Sequence, residues 1–533
     1  MYSREDAVLD SAVPNDVSIF NSFLIYIDFK TKYKTIYRHF ETFCYTFYRH
    51  FETFCCIFYR YFETFCLSLQ RYLKKYIIMF QRESLEKLKQ WAAKSKRKPL
   101  ILRGARQVGK TTLVNEFSKQ FDTYLYLNLE NKRAKTLFEE DFSIEELVSQ
   151  IFLFCNKPRE QGKSVLLFID EIQYSPSAVS RLRYFYEEVP DLFVIAAGSL
   201  LETLINSQIS FPVGRVEYLA VRPCSFCEFL VAMGETELEK AVKQYSIPKA
   251  LHSKTMSLFN TFTFIGGMPE IVAHFAENRD FVSLNEIYDT LLTSYRDDVE
   301  KYAKNDTNKH IIRYILKEGW SYALQRITLG NFANSSYKSR EMGEAFRTLE
   351  KTMLLELVYP AISTLLPASA DLKRSPKLIW SDVGLVNYAA NIQQEVFDSK
   401  DIIDAYRGKI AEQIVAQELL AYETRVTAQR AFWVREKKGS DAEIDFILQY
   451  DSKIIPIEVK SGHNTKLRSL HLFMDEAQHN IAVRVWSQPF SIDEIKTSGS
   501  KKIKLLNVPF YYVGQLKKIL NLTKITLQTP MFT

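Results

Sequence analysis

GARQVGKTT, Gly104 to Thr112, decides how the rest of this chain is read. It follows the apolar run Pro99, Leu100, Ile101, Leu102 and precedes Leu113, Val114 and Phe117 at helical spacing, so a buried strand is expected to enter a glycine loop that opens a helix. The spacing fits G-x-x-x-x-G-K-[ST], in which a curled backbone turns successive N–H groups toward phosphate oxygens. Gly104, Ala105, Arg106, Gln107, Val108 and Gly109 form that cradle, and the positive end of the helix dipole lies beneath it. Lys110 is placed to neutralise the β and γ phosphates. Thr111 offers a hydroxyl to Mg2+, and Thr112 completes the stretch expected to bind ATP.

Downstream, YLYLNL at Tyr124 to Leu129 reads as a second strand, and SVLLFIDEIQY at Ser164 to Tyr174 as a third that ends in Asp170 and Glu171. Such an ending is a Walker B signature: Asp170 holds Mg2+ and Glu171 polarises the attacking water. The run Leu192 to Ala197 ends in Gly198 and Ser199, where a polar side chain at a strand tip reaches toward the γ-phosphate. Strands alternating with helices imply a parallel sheet with its ligand at the carboxyl edge.

This part of the chain resembles the AAA+ superfamily of P-loop NTPases. The resemblance puts Ser199 at the sensor 1 position and Arg215, in FPVGRVEYL, where an arginine finger from a neighbouring subunit would stabilise transition-state charge. That role implies a homo-oligomer, and a plain surface arginine is the alternative. RPCSFCE at Arg222 to Glu228, IGGMPEIV at Ile265 to Val272 and YRDDVEKY at Tyr295 to Tyr302 extend the likeness to a large group of bacterial and archaeal AAA+ ATPases of unassigned role. Members carry a helical lid, a winged-helix-like α+β segment and a C-terminal domain. Here ANSSYKSREMGEAFRTLEKTMLLELVYP, with Ser335 and Ser336 as helix caps, supplies the winged-helix-like pattern, and PKLIWSDVGL at Pro376 to Leu385 joins it to the next module.

A second group of charged residues lies near the C-terminus, in GKIAEQIVAQELL, GSDAEIDFIL and IIPIEVKSG. Alternation along Ala442 to Leu448 puts Ile444, Phe446 and Leu448 on one face and Glu443 and Asp445 on the other. Along Ile454 to Lys460 it leaves Glu458 and Lys460 together, opposite Ile455, Ile457 and Val459. A hairpin of the two strands gathers Asp445, Glu458 and Lys460, and Glu412 on an amphipathic helix adds a third carboxylate. Two or three carboxylates can hold Mg2+, and a neighbouring lysine steadies developing phosphate charge. Asp441 and Glu443 lie close enough to compete for these roles, but Asp445 best fits the strand phase. The arrangement resembles the restriction-endonuclease-like PD-(D/E)xK superfamily, an α/β fold, which implies Glu412, Asp445 and Glu458 as metal ligands and Lys460 as a catalytic residue. A solvated hairpin with ordinary charges is the alternative.

Residues 37–69 repeat YRHFETFCYTF, YRHFETFCCIF and YRYFETFCLSL with a period of eleven, aligning Phe40, Phe51 and Phe62 on a helix. Five or six aromatic or cysteine positions per unit spread over most of the circumference, so the tract reads as a duplicated segment outside the core. Met79, which opens MFQRESLEKLKQW, is the expected translation start. The expected layout is an extension at 1–78, an ATPase core at 79–230, a helical lid at 231–303, a winged-helix-like connector at 304–395 and a nuclease-like domain at 396–533.

A content of 47% hydrophobic and 25% charged residues is that of a globular protein, and the net charge of +7 permits contact with DNA or RNA without arguing for it. No apolar run approaches the length of a membrane span, and MYSREDAVLD lacks the order of a secretion signal. Seven cysteines, four of them in the repeat, do not form a disulfide framework, so the expected compartment is the cytoplasm. Cys224 and Cys227 form a C-x-x-C that lacks the partners for a zinc set. Two functions follow. One is an ATPase that controls metal-dependent cleavage of nucleic acid, and the other is an ATP-driven switch that binds nucleic acid or protein without cutting.

Overall fold

Leu85, Leu88 and Trp91, spaced three residues apart, build α1 (Glu83–Ala92) and are buried along one of its faces. The computed structural model describes residues 82–198, 212, 214–303, 305–392, 408–436, 440–460 and 467–528, all within a unit that runs from Ile78 to Thr533. The repeat tract, Met79, Phe80 and Ser199 lie outside the described residues.

Strands and helices then follow in order: β1 (Leu100–Arg103), α2 (Lys110–Ser118), β2 (Thr123–Asn128), α3 (Lys132–Glu139), α4 (Ile144–Phe154), β3 (Val165–Asp170), α5 (Pro176–Glu188), β4 (Phe193–Ala197) and β5 (Glu217–Ala220), the first four strands where they are expected. The five strands form one parallel sheet in the order β2-β3-β4-β1-β5. Strands covered on both faces read as continuous apolar runs because neighbouring side chains point to opposite faces. Leu100, Leu102, Phe168 and Ile195 belong to one buried cluster with α1 and α2, whereas Ile101, Leu167, Ile169 and Val194 join another with α3, α4 and α5. Local signals set the helix starts: Ser143 and Glu146 form a reciprocal cap on α4, and Ser175 with Pro176 opens α5.

Five helices come next: α6 (Phe226–Ala232), α7 (Thr236–Lys243), α8 (His252–Ile265), α9 (Pro269–Asn278) and α10 (Leu284–Tyr302). Then α11 (Asp306–Glu318) and α12 (Ser339–Lys351) lead into β6 (Leu355–Val358), β7 (Pro360–Ala361), β8 (Lys377–Trp380) and α13 (Val383–Ala389). β6 and β8 pair antiparallel, and Trp380 of β8 stacks on Trp320 with ring centroids 3.6 Å apart. Ser335 and Ser336 do not cap α12. The helix starts later, after Lys338, whose N–H donates to the Glu341 carboxylate at 3.2 Å.

The C-terminal part comprises α14 (Lys409–Ala421), β9 (Phe432–Arg435), β10 (Ala442–Ile444), β11 (Phe446–Tyr450), β12 (Lys453–Val459), α15 (Arg468–Glu476), β13 (Ile481–Trp486), β14 (Ser491–Lys496), β15 (Lys502–Pro509) and α16 (Leu516–Gln528). Its main sheet runs β11-β12-β13-β15-β14, with β12, β13 and β15 parallel and both edges antiparallel. Two expectations change here. The strand expected across Ala442 to Leu448 breaks at Asp445, because β10 pairs with β9 while β11 pairs with β12. And β12 is buried at every residue from Ile454 to Val459, because α14 and α15 pack against it, so Glu458 does not stand on a solvated hairpin.

The junction between α8 and α13 admits no side chain at two glycines. Gly266 ends α8 with φ 72, and a Cβ on Gly384 would lie 2.2 Å from the Ile265 carbonyl oxygen. Gly384→Ala is therefore expected to destabilise the protein by about 1–3 kcal/mol, the usual cost of overpacking, and to lower the midpoint of thermal unfolding in a calorimetric scan. An unchanged midpoint would show that the two segments can separate freely.

Candidate functional site

The phosphate loop leaves the carboxyl end of β1, which lies between β4 and β5 in the sheet. Its last residue, Gly109, has φ 86 and ψ 27, a left-handed conformation that glycine adopts without a Cβ penalty, and α2 begins at the next residue. Val108 and Ala105 are buried, anchoring the loop to the core, while Thr112 is exposed. The Lys110 ammonium donates to the carbonyl oxygens of Gly104 at 3.0 Å and Ala105 at 2.9 Å. Burial lowers its pKa to about 8, against the opposing pull of Glu171 and Asp170.

Asp170 ends β3 beside the loop. The Thr111 hydroxyl donates to its Oδ2 at 2.8 Å, and the Tyr126 hydroxyl reaches the same oxygen at 3.4 Å. Burial raises the pKa of this carboxyl, and the Thr111 contact counters that shift. The hydroxyl and carboxylate are hard oxygen donors side by side, a set that suits Mg2+. Glu171 follows in a left-handed conformation, φ 52 and ψ 41, and its carboxylate accepts from Gln173 Nε2 at 2.5 Å. Gln173 thereby fixes the Glu171 carboxylate, a contact that motif spacing does not reveal.

Helices beyond the sheet hold the same loop. Arg106 forms an ion pair with buried Asp298 of α10, the Tyr295 hydroxyl donates to the Arg106 carbonyl at 2.9 Å, and Gln107 Nε2 reaches Ser294 Oγ at 3.4 Å. Arg82, just ahead of α1, donates to the carbonyls of Val108 at 3.0 Å and Arg222 at 2.6 Å and to Glu228 at 2.9 Å. These contacts explain three of the family-like motifs. YRDDVEKY grips the loop, RPCSFCE supplies Arg222 and Glu228, and IGGMPEIV brings Pro269, whose ring would lie 3.6 Å from a Cβ on Gly109. Cys224 and Cys227 are buried free thiols packed beneath this junction, and burial raises the pKa of both. Arg215 is exposed and paired with Glu187 at 2.7 Å.

The C-terminal charges gather differently from the expectation. Asp445 Oδ2 accepts from the Val459 N–H at 2.7 Å, and Lys460 bonds Glu458 Oε1 at 2.8 Å, leaving Glu458 Oε2 buried without a partner. Between the carboxylates lies Lys377 of β8, a residue that sequence reasoning passed over. Only 2% exposed, its ammonium sits 2.6 Å from Glu443 Oε1, 3.6 Å from Glu412 Oε2 and 4.8 Å from the Phe432 ring centroid. Burial and then the neighbouring Asp445 push Glu412 up to about 8, and the same two causes push Glu458 up to about 7. Burial also raises Asp445. Among the described residues no three or more His, Cys, Asp or Glu are placed to hold a metal ion. Glu412, Asp445 and Glu458 thus do not converge as a ligand set in this arrangement, and a lysine occupies the space among them.

A parallel sheet with a phosphate loop after β1 and an acid pair at the tip of β3 defines a P-loop NTPase domain. Family models agree: residues 96–230 match one described as an AAA domain, so the chain carries an AAA-type P-loop ATPase domain. Residues 256–396 and 407–502 match two domains of unknown function, DUF8612 and DUF4143. No curated protein matches the sequence. Among solved structures, a Walker-type ATPase of Pyrococcus abyssi is similar at 13% identity and TM-score 0.36, over 58% of this chain and 96% of that one. The Aeropyrum pernix ORC1 protein in complex with DNA is similar at 13% identity and TM-score 0.24, over 59% and 93%. The Thermotoga maritima RuvB Holliday junction branch migration motor is similar at 15% identity and TM-score 0.24, over 55% and 93%. No described helix is long and apolar enough to cross a membrane.

The pKa of Lys110 sets a pH dependence. Below about 8 the ammonium is charged before nucleotide arrives, and above it the charge must be regained on binding. The dissociation constant for ATP is expected to be flat at lower pH and to rise by about tenfold per unit above this value. Titration with a fluorescent ATP analogue from pH 6 to pH 10 measures it, and a flat profile would mean that Lys110 keeps an ordinary pKa.

Proposed function

We propose that this chain is an ATP-hydrolysing switch whose nucleotide state is passed through the α10–α13 region to a C-terminal unit of restriction-endonuclease-like build that contacts DNA or RNA. The observation that carries the reading is the double grip on the loop. Lys110 bonds the loop carbonyls and Thr111 bonds Asp170 on its proposed phosphate side, while Arg106 and Gln107 of the same loop are held by Asp298, Tyr295 and Ser294. A ligand that displaces the loop must therefore act on α10.

In the proposed hydrolysis, loop N–H groups and Lys110 orient the triphosphate. Thr111 and Asp170 would hold Mg2+, which when bound offsets phosphate charge. Glu171, steadied by Gln173, takes the proton of the attacking water. Ser199, which lies outside the described residues, is proposed to contact the γ-phosphate. Arg215 on the exposed rim is proposed to serve a neighbouring copy in a homo-oligomer. Loss of such a finger typically costs about 10³-fold or more in turnover. Arg215→Ala should show that loss together with nucleotide-dependent assembly by light scattering, and a protein that turns over as a monomer excludes the role.

Lys110→Ala is expected to weaken ATP binding by about 10- to 100-fold, the weight of a charge-assisted contact. Glu171→Gln should keep binding but lower phosphate release by about 10²- to 10⁴-fold. Full hydrolysis by either variant would exclude this site.

The unpartnered Glu458 Oε2 favours a second reading, in which the C-terminal unit cleaves nucleic acid with Lys460 as the positioned cation. The two readings part at Lys460→Ala. Loss of Mg2+- or Mn2+-dependent cutting of DNA or RNA supports cleavage, whereas no cutting by either protein leaves a switch that binds without cleaving.

A further inference from the structure

We propose that the cavity between α12, β6, α14 and β11 binds a small molecule that joins an apolar body to an ammonium group, with Glu350 receiving the ammonium. The inference rests neither on ATP hydrolysis nor on cleavage by the C-terminal unit.

The cavity has a volume of about 560 Å³, within the range of small-molecule sites. Much of its wall is apolar: Leu357, Val358, Leu420, Phe446 and Ile457 line it and are buried. Six charged residues also line it, and five of them are paired. Glu356 pairs with Arg430 at 2.6 Å, and Glu423 takes both Arg425 at 2.8 Å and Lys517 at 3.5 Å. Glu350, the sixth, makes no ion pair among the described residues. Its Oε1 accepts one hydrogen bond, from the Leu357 N–H at 2.8 Å. Burial pushes its pKa up to about 7 against that N–H, and Glu356 raises it further while Arg347, one turn earlier on α12, lowers it from a distance. Tyr359, which also lines the cavity, is raised by burial first and by the Glu350 charge second. A carboxylate set without a cation in a largely apolar wall is costly, and a ligand ammonium would remove that cost through a charge-assisted hydrogen bond. An anionic head would meet the Glu350 charge instead, and the cations of this wall are already compensated by Glu356 and Glu423. Glu350 and Arg430 also line a second cavity of about 120 Å³, together with Ala105 of the phosphate loop and Arg222. Arg222 is held by the carbonyls of Glu423 at 3.0 Å and Arg425 at 3.3 Å. The proposed site thus borders the phosphate loop on one side and the C-terminal sheet on the other.

Calorimetric titration of the full chain, without nucleotide, tests this with three probes that differ in the head group: phenethylamine, phenethyl alcohol and phenylacetate. The amine is expected to bind about 10- to 100-fold more tightly than the alcohol or the acid, the weight of a hydrogen bond to a charged group. The amine stays charged while Glu350 titrates, so its dissociation constant should fall about tenfold per pH unit as the pH rises to about 7 and level off above it. Glu350→Gln keeps an acceptor for the Leu357 N–H. This variant should hold the amine no better than the alcohol and lose the pH dependence, with its midpoint of thermal unfolding showing that it is folded. Ala428→Phe, at a residue that lines both cavities, should abolish binding of the amine. Should Ala428→Phe fail to fold, Glu350→Gln and the pH profile of the wild type decide the matter. No binding of the amine, equal binding of amine and alcohol, or amine binding that survives Glu350→Gln overturns the proposal. Tighter binding of the acid overturns it as well and gives the cavity to its arginines.

Discussion

One buried carboxylate ties the two halves of the molecule together. Asp382, 0% exposed, accepts from the Gly267 N–H at 2.5 Å and the Leu385 N–H at 3.0 Å, so it caps α13 and holds the turn between α8 and α9 at once. Burial raises its pKa to about 6, against those backbone donors. The approach requires Gly266 and Gly384, since a Cβ on Gly266 would lie 2.4 Å from Asp382 Oδ1. From this point one path leads to Pro269 over the phosphate loop and another along β8 to Lys377. Gln413 and Gln417 of α14 bond the same stretch, at the Trp380 carbonyl and the Val383 N–H. The helix that carries Glu412 is therefore fixed to the segment that carries Lys377.

The nucleotide site is likewise built from distant parts of the chain. A bare phosphate loop needs only the strand, the glycines and the following helix, all local in sequence. Here Arg82, Asp298 and Pro269 close over it from three separate segments, and Ala220 at the end of β5 donates to the Thr424 carbonyl at 2.8 Å. One buried apolar cluster runs from Leu85 to Leu520 without a solvent gap between these parts. Motion at the loop is resisted by packing that extends into the C-terminal sheet, which is the physical requirement for passing a change between them.

Much of this was legible in the sequence because the signals were local. Apolar runs located β1 to β4, the glycine spacing located the loop, and the acid pair located the tip of β3. What was not legible depends on partners far along the chain. Arg82, Gln173 and Asp298 carry no motif of their own, and Lys377 read as part of a linking strand until the carboxylates surrounded it. Alternation put Ile444 and Phe446 on one face and missed the break at Asp445, which arises because β10 and β11 pair with different strands, so that the two residues join different buried clusters. The enclosure of Glu458 was not legible either, since one strand cannot reveal that α14 and α15 will pack against it.

Two buried lysines show how surroundings divide their tasks. Lys110 rests on two neutral carbonyl oxygens, with its acidic neighbours near enough to act but not bonded to it, so burial prevails and its pKa falls to about 8. Lys377 is at least as buried, yet Glu412, Asp445 and Glu443 outweigh that burial and hold its pKa above the ordinary value. A charge with little local compensation gains most when an anionic ligand arrives, so Lys110 is poised for phosphate. A charge compensated internally gains little from an anion and loses much by leaving its partners. Lys377 is thus held in place by its carboxylates and offers little to a phosphate.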